Sequence, residues 1–188
     1  DRFPELKNQD NLDWKILALQ VELGELANEW RGFKKWSSDQ KEKTVGNCKQ
    51  CFHGTVHQYG GEGQVFSEKC THCEGTGLVN PLLEEYVDCL HFILSIGLEI
   101  KLRKDKIIID SDYTRDTLTE TFSEMFLAVS ELRNDIKERS MFTQKETYDA
   151  LFNLFVGLGE MLGFTWGQIE QAYLDKNKIN HERQESGY

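Results

Sequence analysis

"LQVELGELANEW", residues 19–30, supports two readings within one helix-length stretch. Leu19, Leu23, Leu26, Ala27 and Trp30, following Ile16 upstream, recur with the 3.6-residue period of a helix that buries one side. Glu22, Glu25 and Glu29 recur at three- and four-residue spacing, which lines like charges along the same helix. Such neighbours repel by roughly 0.2–0.5 kcal/mol per pair unless something positive lies between them. A packed face bordered by stacked acid points to a helix of a bundle and leaves open what offsets the charge.

The rest of the chain continues the helical reading. The first helix is expected over 13–31, with Asn and Asp ahead of it as caps and Gly32 as its stop. A second, over 81–104, opens with Asn80 as cap and Pro81 at the first helical position. A third is expected over 114–139, after the start signal "DSD". The fourth runs from about 144 to 162, begun by the capping box Thr143-x-x-Glu146 and closed by Gly163. The fifth begins at a further capping box, Thr165-x-x-Gln168, and continues through "IEQAYLDKNKIN". Strand alternation is confined to residues 45–79, and two prolines leave the helices uninterrupted. The expected fold class is an all-α helical bundle.

Composition narrows the function. A chain of 188 residues that is 39% hydrophobic and 11% aromatic can bury a core as one domain carrying an insertion. A formal net charge of −10 argues against a nucleic-acid or membrane-surface partner, since both normally select basic proteins. No apolar run approaches a membrane span, and no charged-then-apolar leader is read. Four of the five cysteines lie in CxxC units, which fits metal binding in a reducing cytoplasm better than a disulfide framework.

Those units define the insertion. Residues 40–79 are rich in Gly, Cys and His and poor in Leu, and separate a bundle made of 1–39 and 80–188. Cys48, Cys51, Cys70 and Cys73 have the spacing of two knuckles that close a tetrahedral Zn²⁺ site. A closed four-thiolate shell leaves no place for water, so its role is structural. His53, His57 and His72 lie near enough to replace one Cys. The second knuckle, "CTHCEGTG", resembles the CxxCxGxG unit of DnaJ-type zinc modules, whose glycines allow the tight turn around sulfur. Cys89, inside the second helix, reads as an inert buried thiol.

The second helix answers the first with "EEYVDCLHF", which places Glu85 and Asp88 on one face. Glu22, Glu25, Glu85 and Asp88 projecting from facing helices make a set of hard oxygen donors suited to Mg²⁺ or Mn²⁺. Cations held there can bind a polyphosphate and lower the pKa of a bound water, whose proton a spare carboxylate accepts. The plainer alternative is a solvated acidic groove. Glu29 and Glu84 read as rim residues.

ExxE on one helix and ExxD on the next resembles the all-α nucleoside triphosphate pyrophosphatase superfamily, the MazG-like fold. Within it, "FKKW" at 33–36, "VDCLHFILS" at 87–95 and "YLDKNKINHERQESGY" at 173–188 are similar to the dimeric dUTPases. The resemblance covers nearly all of the chain outside 40–79, which would be an insertion between the two metal-binding helices. It implies Mg²⁺-dependent hydrolysis of dUTP to dUMP and pyrophosphate by a homodimer, with Glu22 or Glu25 deprotonating the water. It also implies a tail that closes over the triphosphate and includes Tyr188, and it sets Trp36 and His91 beside the base. Lys176, Asn180 and Arg183 follow i, i+4, i+7 spacing, so one helical stripe can hold phosphate oxygens. By charge alone they could equally complement a helix C-terminus. Lys34 follows the first metal helix closely enough to join them at the phosphates. The rival readings are a pyrophosphatase of the same fold with another or broader nucleotide preference, a di-iron or di-manganese protein using Asp88-x-x-His91, and a non-enzymatic zinc-bearing interaction module.

Overall fold

A computed structural model describes residues 10–61, 64–102, 107, 109, 112–138 and 141–185. Five helices carry the fold: α1 (Leu12–Trp30), α2 (Pro81–Glu99), α3 (Leu118–Glu138), α4 (Met141–Met161) and α5 (Trp166–Glu185). Between α1 and α2 lie four short strands, β1 (Gly46–Asn47), β2 (Thr55–Tyr59), β3 (Val65–Lys69) and β4 (Leu78–Val79). The expected all-α class holds. Among the described residues no helix is long and apolar enough to cross a membrane.

The apolar stripe of the opening stretch is the inner face of α1: Ile16, Leu19, Leu23 and Leu26 are buried, with Ala27 and Trp30 packed against them. They meet Leu82, Tyr86, Cys89, Leu90 and Ile93 of α2, and α3 and α4 complete the core through Phe122, Met125, Tyr148, Leu151 and Phe155. Helices α1 and α2 run antiparallel. At one end Lys15 Nζ lies 2.5 Å from Glu99 Oε1. At the other, the Lys43 N–H donates to the Glu29 carbonyl at 2.9 Å while the Lys43 carbonyl accepts from the Leu82 N–H at 3.0 Å. This antiparallel pairing allows carboxylates on the two helices to face each other.

Helices α2 and α4 approach through a reciprocal device. Tyr86 of α2 donates its hydroxyl to the Phe155 carbonyl, and Tyr148 of α4 donates to the Ile93 carbonyl, each at 3.0 Å. Each ring lies over a glycine of the opposite helix: a Cβ on Gly159 would sit 2.5 Å from Tyr86 Oη, and one on Gly97 would sit 2.5 Å from Tyr148 Oη. Both phenols are buried, so these bonds also satisfy groups that would be costly to leave unpaired.

Several helix ends follow the sequence signals. Asn80 Oδ1 accepts from the Leu83 N–H at 3.1 Å with Pro81 beside it. Thr165 and Gln168 exchange capping-box hydrogen bonds. Others differ. The residue that stops α1 is Arg31, with φ 65°, whose N–H reaches the Ala27 carbonyl; Gly32 follows it. Helix α2 ends at Glu99, short of 104, and α3 starts at Leu118, where Thr117 accepts from the Glu120 N–H at 3.2 Å. Thr143-x-x-Glu146 lies inside α4, which has already begun at Met141. A capping box marks a start only where the preceding backbone leaves the helix.

Candidate functional site

Glu22 of α1 and Glu85 and Asp88 of α2 flank the buried stripes of their helices. Half-buried, they converge so that one carboxylate oxygen from each lies within 4.8 Å of the others. From α5, Lys176 Nζ reaches Asp88 Oδ2 at 2.7 Å. Burial, then Asp88 and Glu25, raises the pKa of Glu22, with Lys176 opposing. Burial pushes Glu85 further, to about 7, assisted by Asp88, Glu25 and Glu22 against Lys176. Glu25 therefore presses electrostatically on both neighbours while standing outside the converging set.

This arrangement fits a small divalent cation. All three donors are hard oxygens, they are drawn partly out of water, and one lysine is their nearby compensation. Acids that resist ionising in isolation become good ligands once a cation shares the site.

A cleft of about 580 Å³ opens beside the cluster. Glu29 of α1, Glu84, Glu85 and Asp88 of α2 and Lys176 of α5 form its bundle side. Residues read as rim, Glu29 and Glu84, thus border it. Its other side comes from the insertion and its approach: Lys43, Asn47, Lys49, Gln50 and His72 all line it. The sequence reading did not select Lys43, Asn47, Lys49 or Gln50, and named His72 only as a possible zinc ligand, although the lysine within "CKQC" was visible; nothing local shows which way a knuckle faces.

The other expected residues fall as follows. His91 lies one turn beyond Asp88, stacked on Tyr173 at 4.3 Å, with its Nε2 buried and unpaired among the described residues. Burial lowers its pKa, which keeps the ring neutral near pH 7. Trp36 is 77% exposed and sits edge-on to Phe33, and Lys34 lies over that Phe33 ring. None of these three lines the cleft. Asn180 is half-buried one turn after Lys176. Arg183 falls within α5, but its side chain, like all of Tyr188, lies outside the described residues.

The cysteines form a second cluster. Cys48, Cys51, Cys70 and Cys73 bring their sulfurs within 4.8 Å of one another. Cys48 and Cys70 are 3.9 Å apart and Cys51 and Cys73 are 3.5 Å apart. Zn–S bonds of ~2.3 Å place the sulfurs of a tetrahedral site about 3.8 Å apart, so the cluster has the size of a zinc cage. Burial raises the Cys48 thiol to about 12. At Cys73 burial also works upward, but the Gly77 N–H and the neighbouring thiols outweigh it and hold the group at about 7. The two knuckles pack back to back through Gly54, at φ +88°, where any Cβ would collide with the Gly75 carbonyl. No histidine joins the sulfurs: His72 pairs with Glu84, His57 with Ser67, and His53 packs on Phe52. Cys89 is fully buried in the core, as expected for an inert thiol.

Comparison with known proteins agrees with this architecture. No curated protein and no solved structure matches the chain. A family model described as dUTPase matches residues 3–56 and 75–188, passing over 57–74, which hold β3, most of β2 and the second cysteine pair. Since the match runs through both carboxylate helices and on through α3, α4 and α5, the chain belongs to the all-α dUTPase family.

Proposed function

We propose that this protein is a dUTP diphosphatase that hydrolyses dUTP to dUMP and pyrophosphate. The observation that carries this is the convergence of Glu22, Glu85 and Asp88 beside a nucleotide-sized cleft, in a chain of the dUTPase family. Glu22, Glu25, Glu85 and Asp88 hold Mg²⁺ or Mn²⁺, which when bound neutralises phosphate charge and acidifies water. Glu22 or Glu25 orients the attacking water and takes its proton; the raised basicity of Glu22 suits that task. Lys176 faces the phosphates, and Asn180, Arg183, Lys34 and Tyr188 complete their neutralisation as the tail closes. Trp36 and His91 flank the base.

Cys48, Cys51, Cys70 and Cys73 hold a structural Zn²⁺, and residues 40–79 form an insertion in a catalytic bundle made of 1–39 and 80–188. Free, closely spaced thiols suit a reducing cytoplasm. A homodimer fits the exposed apolar stripe Trp14, Leu17 and Val21 along α1. A broader nucleotide preference is the second reading, favoured by the positions of Trp36 and His91 outside the lining of the cleft.

Pyrophosphate release from dUTP, dTTP, dCTP, dATP and UTP, with and without Mg²⁺, tests this reading. Mg²⁺-dependent release from dUTP alone is expected, and Glu85→Gln should lower its turnover by on the order of 10³ with unchanged circular dichroism. Release from several nucleotides would select the second reading. Near-normal turnover of Glu85→Gln would remove the carboxylate cluster from the chemistry.

A further inference from the structure

The insertion faces the cleft, and its attachment explains why. Strand β1 pairs with β4, Gly46 opposite Val79 and Asn47 opposite Leu78, and the Cys48 N–H donates to the Gly77 carbonyl at 2.9 Å. Strand β4 leads directly through Asn80 into α2, so the first knuckle is registered against the helix that carries Glu85 and Asp88. The second knuckle is tied to the same turn by His72 Nε2 and Glu84 Oε1, 2.7 Å apart. The insertion thus runs directly into the helix of Glu85 and Asp88 through β4 and touches it again through His72 and Glu84.

Three lysines line the cleft, and two have carboxylate partners. Lys176 is engaged with Asp88 at 2.7 Å and Lys43 with Asp39 at 3.0 Å. Lys49 is exposed and has no ion pair with a described residue. Its backbone is held between Cys48 and Cys51, so closure of the thiol cluster also fixes the base of its side chain. A cation across a cleft from clustered carboxylates suits a ligand that is itself anionic and brings its own divalent ion.

We propose that the first cysteine knuckle is a wall of the nucleotide site, and that Lys49 contacts the phosphate chain of a magnesium–nucleoside triphosphate held against Glu85 and Asp88. This rests on the pyrophosphatase reading for its ligand, and it gives the zinc cluster a purpose beyond stapling a loop: presenting Lys49 to substrate.

The test measures binding of α,β-imido-dUTP with Mg²⁺ by calorimetry, and KM and kcat for dUTP, in wild type, Lys49→Ala, Lys49→Glu and Lys137→Ala. Lys137 is an exposed lysine on α3 outside the cleft and controls for net charge. Zinc content is measured in each variant, so that loss of the insertion is told apart from loss of the ammonium. Lys49→Ala should weaken analogue binding and raise KM by about tenfold with kcat nearly unchanged, and should flatten the salt dependence of binding. Lys49→Glu should do more, and Lys137→Ala should match wild type. Wild-type binding and KM in Lys49→Ala, with zinc retained, would overturn the proposal. A wild type that binds the analogue without hydrolysing dUTP would defeat the functional reading alone, since the binding series still decides Lys49. Absence of analogue binding by wild type would overturn both.

Discussion

The two clusters of candidate metal ligands in this protein are built on opposite principles. The four thiols lie within 26 residues of chain, from Cys48 to Cys73, on turns whose glycines allow the sulfurs to approach. They have few apolar neighbours, Val56 and Val79 being those packed against them. The carboxylates sit on α1 and α2, sixty-three positions apart between Glu22 and Glu85, and come together because a large core holds the helices side by side. At the thiol site the ion is expected to stabilise the structure. At the carboxylate site the packed bundle holds the charges close at a cost in free energy, which the raised pKa values of Glu22 and Glu85 reflect. A structural metal site and a reactive one therefore differ in which partner, ion or protein, supplies the order.

The largest effect that would break this contrast is the response to zinc removal. Chelation should abolish amide-exchange protection in residues 46–79 while much of that in α2, α3 and α4 persists, because the bundle core contains none of the four thiols. Hydrogen exchange followed by mass spectrometry reads this directly. Global loss of protection would mean that the insertion belongs to the core.

Glycine substitutions sharpen the same contrast on a smaller scale. Gly97→Ala should destabilise the bundle by about 1–3 kcal/mol in urea titration, since its methyl group meets the Tyr148 hydroxyl in a packed interface. Gly54→Ala should leave that transition in place and instead weaken zinc retention, because it strains the contact between the knuckles. An identical response from both variants would contradict two separately ordered regions.

The smallest expected effect is a pH dependence confined to the carboxylates. In the metal-free protein Glu85 has its pKa raised from 4.5 to about 7 by burial and by Asp88, Glu25 and Glu22, with Lys176 opposing. A raised folded-state value means that its contribution to stability is fully present below pH 4.5 and is lost as pH rises through 7. Glu85→Gln cannot ionise, so it should gain stability relative to wild type across that window, by on the order of 1 kcal/mol once solvent screening at the half-open cleft is included. Thermal melts at pH 5 and pH 8 without divalent ions check the sign. A constant difference at both pH values would show that charge crowding is not what the site stores.

Much of this was legible along the chain. The stripe Ile16, Leu19, Leu23 and Leu26 is buried as its spacing requires, because a 3.6-residue period is a local property that almost any core will use. The caps at Asn80 and Thr165 formed for the same reason. The signal at Thr143 was overruled because the backbone before it is already helical, whereas Thr117, three residues beyond the helix start read from "DSD", caps α3.

Spacing alone therefore determined the helical class, the paired acids and the cysteine quartet, since each depends on residues within a few turns or one short loop. Tertiary structure decided that Glu22, Glu85 and Asp88 meet while Glu25 acts on them from outside, because that depends on how α1 and α2 are rotated against each other. It also decided the exchange of Tyr86 and Tyr148 across α2 and α4, and the placing of Lys49 in the wall of the cleft that Glu85 and Asp88 line. These are relations between segments far apart in the chain, set by core packing and by the β1–β4 pairing, and no local pattern encodes an angle between two such segments.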